Sequence, residues 1–258
     1  DVSLIFEVHF NSDLEADKAA DLLKQSGVLE YAEPAFISQL AVIPSDQMIY
    51  RQWHLEAIRA YEAWDIQQGS DEIVIGITDT GIDIDHEDLA SAMVLNENDP
   101  VDGIDNDQNG YVDDYLGWNF YNDNNNPDEF SWSHGTHVSG LAGAATNNGI
   151  GIAGTSFNCK ILSIKCGDKL ELTHGYEGVI YALERGADII NCSWGSTSYT
   201  EYGNDVMKYA TEQGALVVCA AGNNNDERDF YPASFGGYFE RGSLRFIDTK
   251  SNFLFIQL

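Results

Sequence analysis

Basic residues are scarce. Against 42 Asp and Glu the 258-residue chain has 13 Lys and Arg, which leaves a formal net charge of -29 and a pI near 4.1. So acidic a surface repels phosphate backbones and anionic headgroups, which argues against nucleic acid or anionic membranes as partners and favours cation binding. Long apolar runs are missing as well: none reaches 18 residues, so nothing in the sequence reads as a bilayer-spanning helix. Starting at Asp1, with neither a Met nor a basic segment ahead of an apolar one, these residues are not expected to include a signal peptide, and the N-terminus is expected to be a cut end of something longer. Cysteines number four, at 159, 166, 192 and 219, with none of the paired spacings of a zinc site. Lying in or beside apolar runs, they are expected to be free buried thiols, with a disulfide between any two left open.

What is present is enough apolar residue, 43% of the chain, for one large core or for one core plus a small appendage. Residues Ser3 to Phe10 alternate as a strand does; Ser12-Asp13 then caps a helical run through Leu14, Ala19, Leu22 and Leu23 that stops at Gly27, and Val28 to Phe36 is extended again. This small β-α-β unit has too little apolar surface to stand alone and is expected to dock on something. The stretch Ile37 to Tyr50 reads as a linker. Beyond it come a short helical pattern from Trp53 to Trp64 and a nearly all-apolar strand, Glu72 to Thr78, of the kind buried on both faces of a parallel sheet. Strands over Lys160 to Cys166, Ala187 to Ser193 and Ala215 to Ala221 alternate with helices over His174 to Arg185 and Tyr202 to Gln213. That alternation predicts an α/β fold, a doubly wound parallel sheet with helices on both faces. Its strand ends present Asp79, Ser193-Trp194-Gly195 and Gly222-Asn223 on one edge, where open α/β sheets place their sites.

The stretch Ser133-His134-Gly135-Thr136-His137-Val138-Ser139-Gly140 follows a polar Asn/Asp-rich loop and opens a small-residue run suited to a buried helix, so His134 is expected at a helix N-terminus. Jointly, Asp79, His134 and Asn223 supply three of the four parts of nucleophilic acyl transfer. These are the carboxylate that holds an imidazole tautomer, the imidazole base and an amide donor for the oxyanion. His134 and His137, three apart, also suggest a metal-dependent hydrolase, although no third ligand is evident. Asp105, Asp107, Asn109 and Asp113 place oxygens at alternate positions around Gly110, as in the first half of an EF-hand loop, with Leu116 where the closing Glu would stand; a cation site is the expectation.

These motifs resemble those of the subtilisin-like serine proteases, in the thermitase and subtilisin branch. Asp79 within Ile-Thr-Asp-Thr-Gly-Ile-Asp, His134 within Ser-His-Gly-Thr-His-Val-Ser-Gly and Asn223 within Ala-Ala-Gly-Asn match the family's aspartate, histidine and oxyanion motifs, in the Asp-before-His order that subtilisin itself exemplifies. The resemblance implies a subtilisin-like fold, incomplete at the C-terminus, and a secreted endopeptidase acting on peptide or protein substrates. It also implies that Ser193, Trp194, Gly195 and Gly222 bind the substrate, Trp194 being larger than the residue usual there. By the same resemblance residues 1–40 are part of an inhibitory propeptide docked on the catalytic domain, 41–50 the linker and start of the mature domain, and 51–234 the catalytic domain. Residues 235–258 form a divergent tail of unknown role. Calcium is the implied cofactor: Asp46, Asp88 and Asn148 match a tight site, and Asn119, Asn122, Asn124, Asn126 and Asp128 form a weaker candidate. Secretion accords with calcium loops that would fill poorly in the cytosol. The family's serine motif, Gly-Thr-Ser-Met-Ala, is not among the 258 residues, and Gly242-Ser243-Leu244 does not replace it. The chain as written is therefore expected to be inactive, through truncation or a frame disturbance; the alternative is a pseudoprotease or calcium-dependent binding module.

Overall fold

A computed structural model describes residues 8–9, 14–34, 42–130, 133–169, 171–224 and 227–235. The chain divides into two units, 1–40 and 41–258. In the first, helix α1 (Ala16–Gln25) buries Ala20 and ends where Gly27, at φ +70°, returns its N–H to the Lys24 carbonyl. Most of the strand expected over 3–10 lies outside the described residues, and 28–34 carries no strand. Residues 37–41 of the expected linker and the tail from 236 also lie outside them.

The second unit is built on a five-stranded parallel sheet. Its strands are β1 (Val74–Asp79), β2 (Gly117–Asn119), β3 (Lys160–Lys165), β6 (Ile189–Cys192) and β7 (Leu216–Cys219), in the order β2-β3-β1-β6-β7. A two-stranded hairpin, β4 (Gly167–Asp168) with β5 (Glu171–Leu172), follows β3. Alternation along the strands sorts side chains to two faces. Ile75, Ile77 and Ile161 face one way, toward the partly buried Val138 and Ala142 of α4 (His134–Gly143). Leu162, Ile164 and Ile190 face the other, packing with Val179 and Ala182 of α5 (Gly175–Glu184) and Met207 and Ala210 of α6 (Glu201–Glu212). The doubly wound expectation is thus met in this unit. Ile77, Ile161, Leu162, Ile164 and Ile190 are fully buried, and each stabilises the sheet by about 1.5–3 kcal/mol.

Further elements differ from the sequence reading. The helical pattern over 53–64 splits into α2 (Trp53–Ala57) and α3 (Ala60–Trp64), because Arg59 takes a left-handed φ of +58°. The short strand β2, inside an acidic segment, gave no periodic signal. All four cysteines are free and buried, and burial pushes the Cys166 thiol well up, which makes it inert.

A buried ion pair ties the acidic segment to the sheet's helices. Arg185, at the end of α5, donates to the Asp114 carboxylate at 2.9 Å and to its carbonyl at 3.1 Å, and the buried Tyr181 hydroxyl donates to the same carboxylate at 2.7 Å. With Asp114 fully buried, removing the guanidinium leaves its charge uncompensated. Arg185→Met should therefore cost about 3–5 kcal/mol in urea unfolding.

Candidate active site

Asp79 is the last residue of β1 and has no exposed surface. Its Oδ1 accepts from the Thr80 backbone N–H at 2.7 Å and lies 2.7 Å from Nδ1 of His134; Oδ2 is buried without a partner. With the carboxylate ionised, the proton of that contact sits on Nδ1, so Nε2 keeps its lone pair and is the basic nitrogen. His134 is the first residue of α4, as expected, and its side chain is 44% exposed, which leaves the ring open to solvent. The helix can come this close because residue 135 is glycine: a Cβ there would collide with the Gly81 carbonyl and lie 3.2 Å from Asp79 Cβ. The hydrogen bond to Asp79 is the main influence raising the imidazole pKa above the usual 6.5. Charge from Asp79 and Glu129 adds to it, and burial opposes it.

The neighbouring strands β6 and β7 pair Cys192 with Cys219 and release Ser193-Trp194-Gly195 and Ala220 to Asn223 at the same sheet edge. Ser193 Oγ accepts from the Asn191 amide at 2.8 Å. Trp194 turns inward: its indole N–H donates to Thr78 Oγ1 at 2.9 Å, its ring lies edge-on to Tyr176, and the Gly175 backbone passes close against it. The Phe230 ring lies against both Gly195 and Gly222: a Cβ on Gly195 would collide with it, and one on Gly222 would lie 3.3 Å away. Gly222 itself needs its freedom, at φ +95°, and Asn223 after it is exposed. His137 is exposed one turn along α4. The one group of three metal-capable side chains among the described residues contains no histidine, so the metal-hydrolase alternative finds no third ligand.

The cation candidates separate into three. Asp46 and Asp88 are both 2% exposed; Asp88 accepts from Asn148 Nδ2 and Ile152 N, each at 2.8 Å, and Asp46 Oδ2 from Asn147 N at 2.8 Å. Asp46 Oδ1 is buried with no partner. A buried, unpartnered carboxylate oxygen fits a hard cation such as Ca²⁺, whereas Asn148 Oδ1 is taken by Ile150 N at 2.7 Å. In the acidic segment, oxygens of Asp99, Asp105 and Asp107 lie within 4.8 Å of one another, and Asn109 donates to Asp107 at 3.2 Å. Asp113 instead accepts from the backbones of Asp102 and Gly103, both at 2.8 Å. Asp99 was not visible in the local spacing because it stands six residues before Asp105. The amide-rich candidate spends its oxygens on turns, with Asn119 Oδ1 taking Asn122 N and Asn126 Oδ1 taking Asp128 N.

Residues 70–244 match the Subtilase family. The chain is 33% identical over 236 residues to a thermophilic serine proteinase of a Bacillus species, covering 90% of this chain and 53% of that protein. It is 34% identical over 206 residues to thermitase of Thermoactinomyces vulgaris, covering 79% and 66%. An extracellular serine protease of Natrialba magadii, Nep, is 34% identical over 89% of this chain and 40% of its own length. Among solved structures, a protease of Pseudoalteromonas arctica is similar at a TM-score of 0.59 and 29% identity, covering 74% of this chain and 63% of that one. Fervidolysin of Fervidobacterium pennivorans, a keratinolytic enzyme related to subtilisin, gives 0.56 and 26%, covering 77% and 28%. The chain spans about half the length of the relatives it matches.

Because the folded pKa of His134 is raised, the stability its pairing contributes is complete below the usual 6.5 and is lost as pH rises through the folded value. Asp79→Asn should lower the His134 titration midpoint, and should destabilise the chain more at about pH 5.5 than at about pH 9 in urea unfolding.

Proposed function

The chain belongs to the Subtilase family, and from that membership we propose that it is the Asp-His half of a secreted serine endopeptidase. The observation that supports this most directly is the 2.7 Å contact between a fully buried strand-end carboxylate and the imidazole heading α4. In this reading an extended peptide lies along Ser193-Trp194-Gly195, by main-chain pairing. His134 Nε2 takes the proton of a serine hydroxyl as that oxygen attacks the scissile carbonyl, and later returns it to the leaving amine. Asp79 holds the tautomer and stabilises the imidazolium. The Asn223 amide donates to the oxyanion. Gly222 keeps the path to the carbonyl open, and the Phe230 ring against Gly195 and Gly222 narrows the space for the adjoining substrate side chain. The serine motif is not among these 258 residues, so their own catalysis is limited to the residual rate a site retains without its nucleophile.

The remaining assignments belong to the same proposal. Residues 1–40 are part of an inhibitory propeptide, 41–50 the linker and start of the mature domain, 51–234 the catalytic domain and 235–258 a divergent tail. Asp46, Asp88 and Asn148 would hold a calcium ion that ties the segment around 46 to the loop around 148. Asp105, Asp107 and Asn109, with Asp99, would hold a second, near Asp113. Bound there, Ca²⁺ supplies charge neutralisation and cross-linking. Secretion accords with the acidic surface and with such sites. No helix among the described residues is long and apolar enough to cross a membrane.

A fluorophosphonate probe tests the hydrolytic reading. The product of the full gene should label and its His134→Ala variant should not, while the 258-residue chain stays unlabelled; an unlabelled full product would favour a pseudoprotease. For calcium, a ligand at a hundredfold over its Kd stabilises by about 2.7 kcal/mol. Chelation should accordingly lower the thermal midpoint by roughly 5–10 °C, and Asp46→Ala should shrink that response.

A further inference from the structure

Helix α4 begins without a cap of its own. Ser133 sits at φ +62°, and its side chain makes no capping hydrogen bond. The N–H groups of the first turn, which have no partner within the helix, are met instead from outside it. Gly135 N donates to Thr80 Oγ1 at 3.1 Å, and Thr136 N and Oγ1 each donate to Glu129 Oε2 at 3.0 Å. The other oxygen of Glu129 takes a short hydrogen bond from the Thr80 hydroxyl, which also lies 3.2 Å from Asp79 Oδ1. Glu129 is 8% exposed, and no part of the proposed acyl-transfer chemistry uses it. A buried carboxylate is costly unless its lone pairs are filled. Here both oxygens are filled by the two residues that flank the Asp79–His134 contact.

We propose that Glu129 is a positioning residue for His134, one that caps α4 from outside and, through the Thr80 hydroxyl, locks the strand-end carboxylate and the helix-head imidazole into one unit. This rests on reading Asp79 and His134 as the working pair. Physically, an imidazole at the positive end of a helix is poorly placed to carry charge, and a second anion at that terminus offsets the dipole. Glu129 is in turn fixed by its own loop. Its N–H donates to the Ile82 carbonyl at 3.2 Å, and Lys165, 6% exposed, donates to the carbonyls of Thr80 at 2.8 Å and Asp128 at 3.1 Å. Other charged or titratable groups around α4 are His137 on the helix, His54 on α2, which feels the charge of His137, Lys160 at the far end of β3, held by the Ser91 carbonyl, and Asp83 and Asp128 in the flanking loops. The direct charge influences on His134 are Asp79 and Glu129.

Imidazole NMR on the 258-residue chain tests this without requiring turnover. In the parent, the Nδ1 proton bonded to Asp79 should be slow to exchange. Glu129→Ala should lose or broaden that signal and lower the His134 titration midpoint. Glu129→Gln, which keeps an acceptor for Thr136 but removes the charge, should keep the signal and still lower the midpoint. A folded Glu129→Ala chain with the parent's proton signal and midpoint overturns the proposal. If that variant does not fold, a Glu129→Gln chain with the parent's midpoint overturns it. Neither result bears on fluorophosphonate labelling, so the positioning role and the protease reading fail separately.

Discussion

A carboxylate with no exposed surface at the end of a central strand is the constraint on which this structure turns. Asp79 must be met by donors or give up its charge, and the donors come from two places: the backbone immediately after it and an imidazole 55 residues on. Bringing that imidazole within 2.7 Å requires α4 to begin against the turn after β1, which glycine at 135 permits. It also requires the first turn of α4 to find acceptors, which Thr80 and Glu129 supply. Packing of Val138 and Ala142 against the sheet then sets the axis of the helix.

Charge is arranged around the same need. In a chain with 42 acidic and 13 basic residues, most carboxylates must be left to solvent, to hydrogen bonds or to cations. Two of the few cations are placed inside. Arg185 neutralises the fully buried Asp114, and Lys165, opposite Asp79 in the strand register, holds the carbonyls that frame the Glu129 loop. Asp46 and Asp88 have neither solvent nor an ion-pair partner among the described residues. That is the physical reason to look to a divalent ion there, and it differs from the ordinary solvated acidic loop that composition alone suggests.

The strand-end edge next to Asp79 follows from the same sheet. Strands β6 and β7 are short, four residues each, and β7 gives way to small residues while β6 gives way to Ser193-Trp194-Gly195 at the edge where Asp79 emerges. Trp194 shows how packing can redirect a side chain: Thr78 on β1 and Tyr176 on α5 draw the indole under the strand end, and Phe230 takes up the position beside the two glycines.

Local pattern by itself determined β1, β3, β6 and β7 of the parallel sheet, the helices over 175–184 and 201–212, the start of α4 at His134 and the order of the motifs, because strand and helix periods and small-residue runs are properties of near neighbours. Tertiary structure alone decided that Asp99 joins Asp105 and Asp107 while Asp113 turns to the backbone of 102 and 103. It alone decided that Trp194 faces inward and that Glu129, in a loop with no period at all, closes the network around His134. Those outcomes depend on hydrogen bonds between residues 7 to 116 positions apart and on which oxygen atoms are left buried, and no local period contains that information.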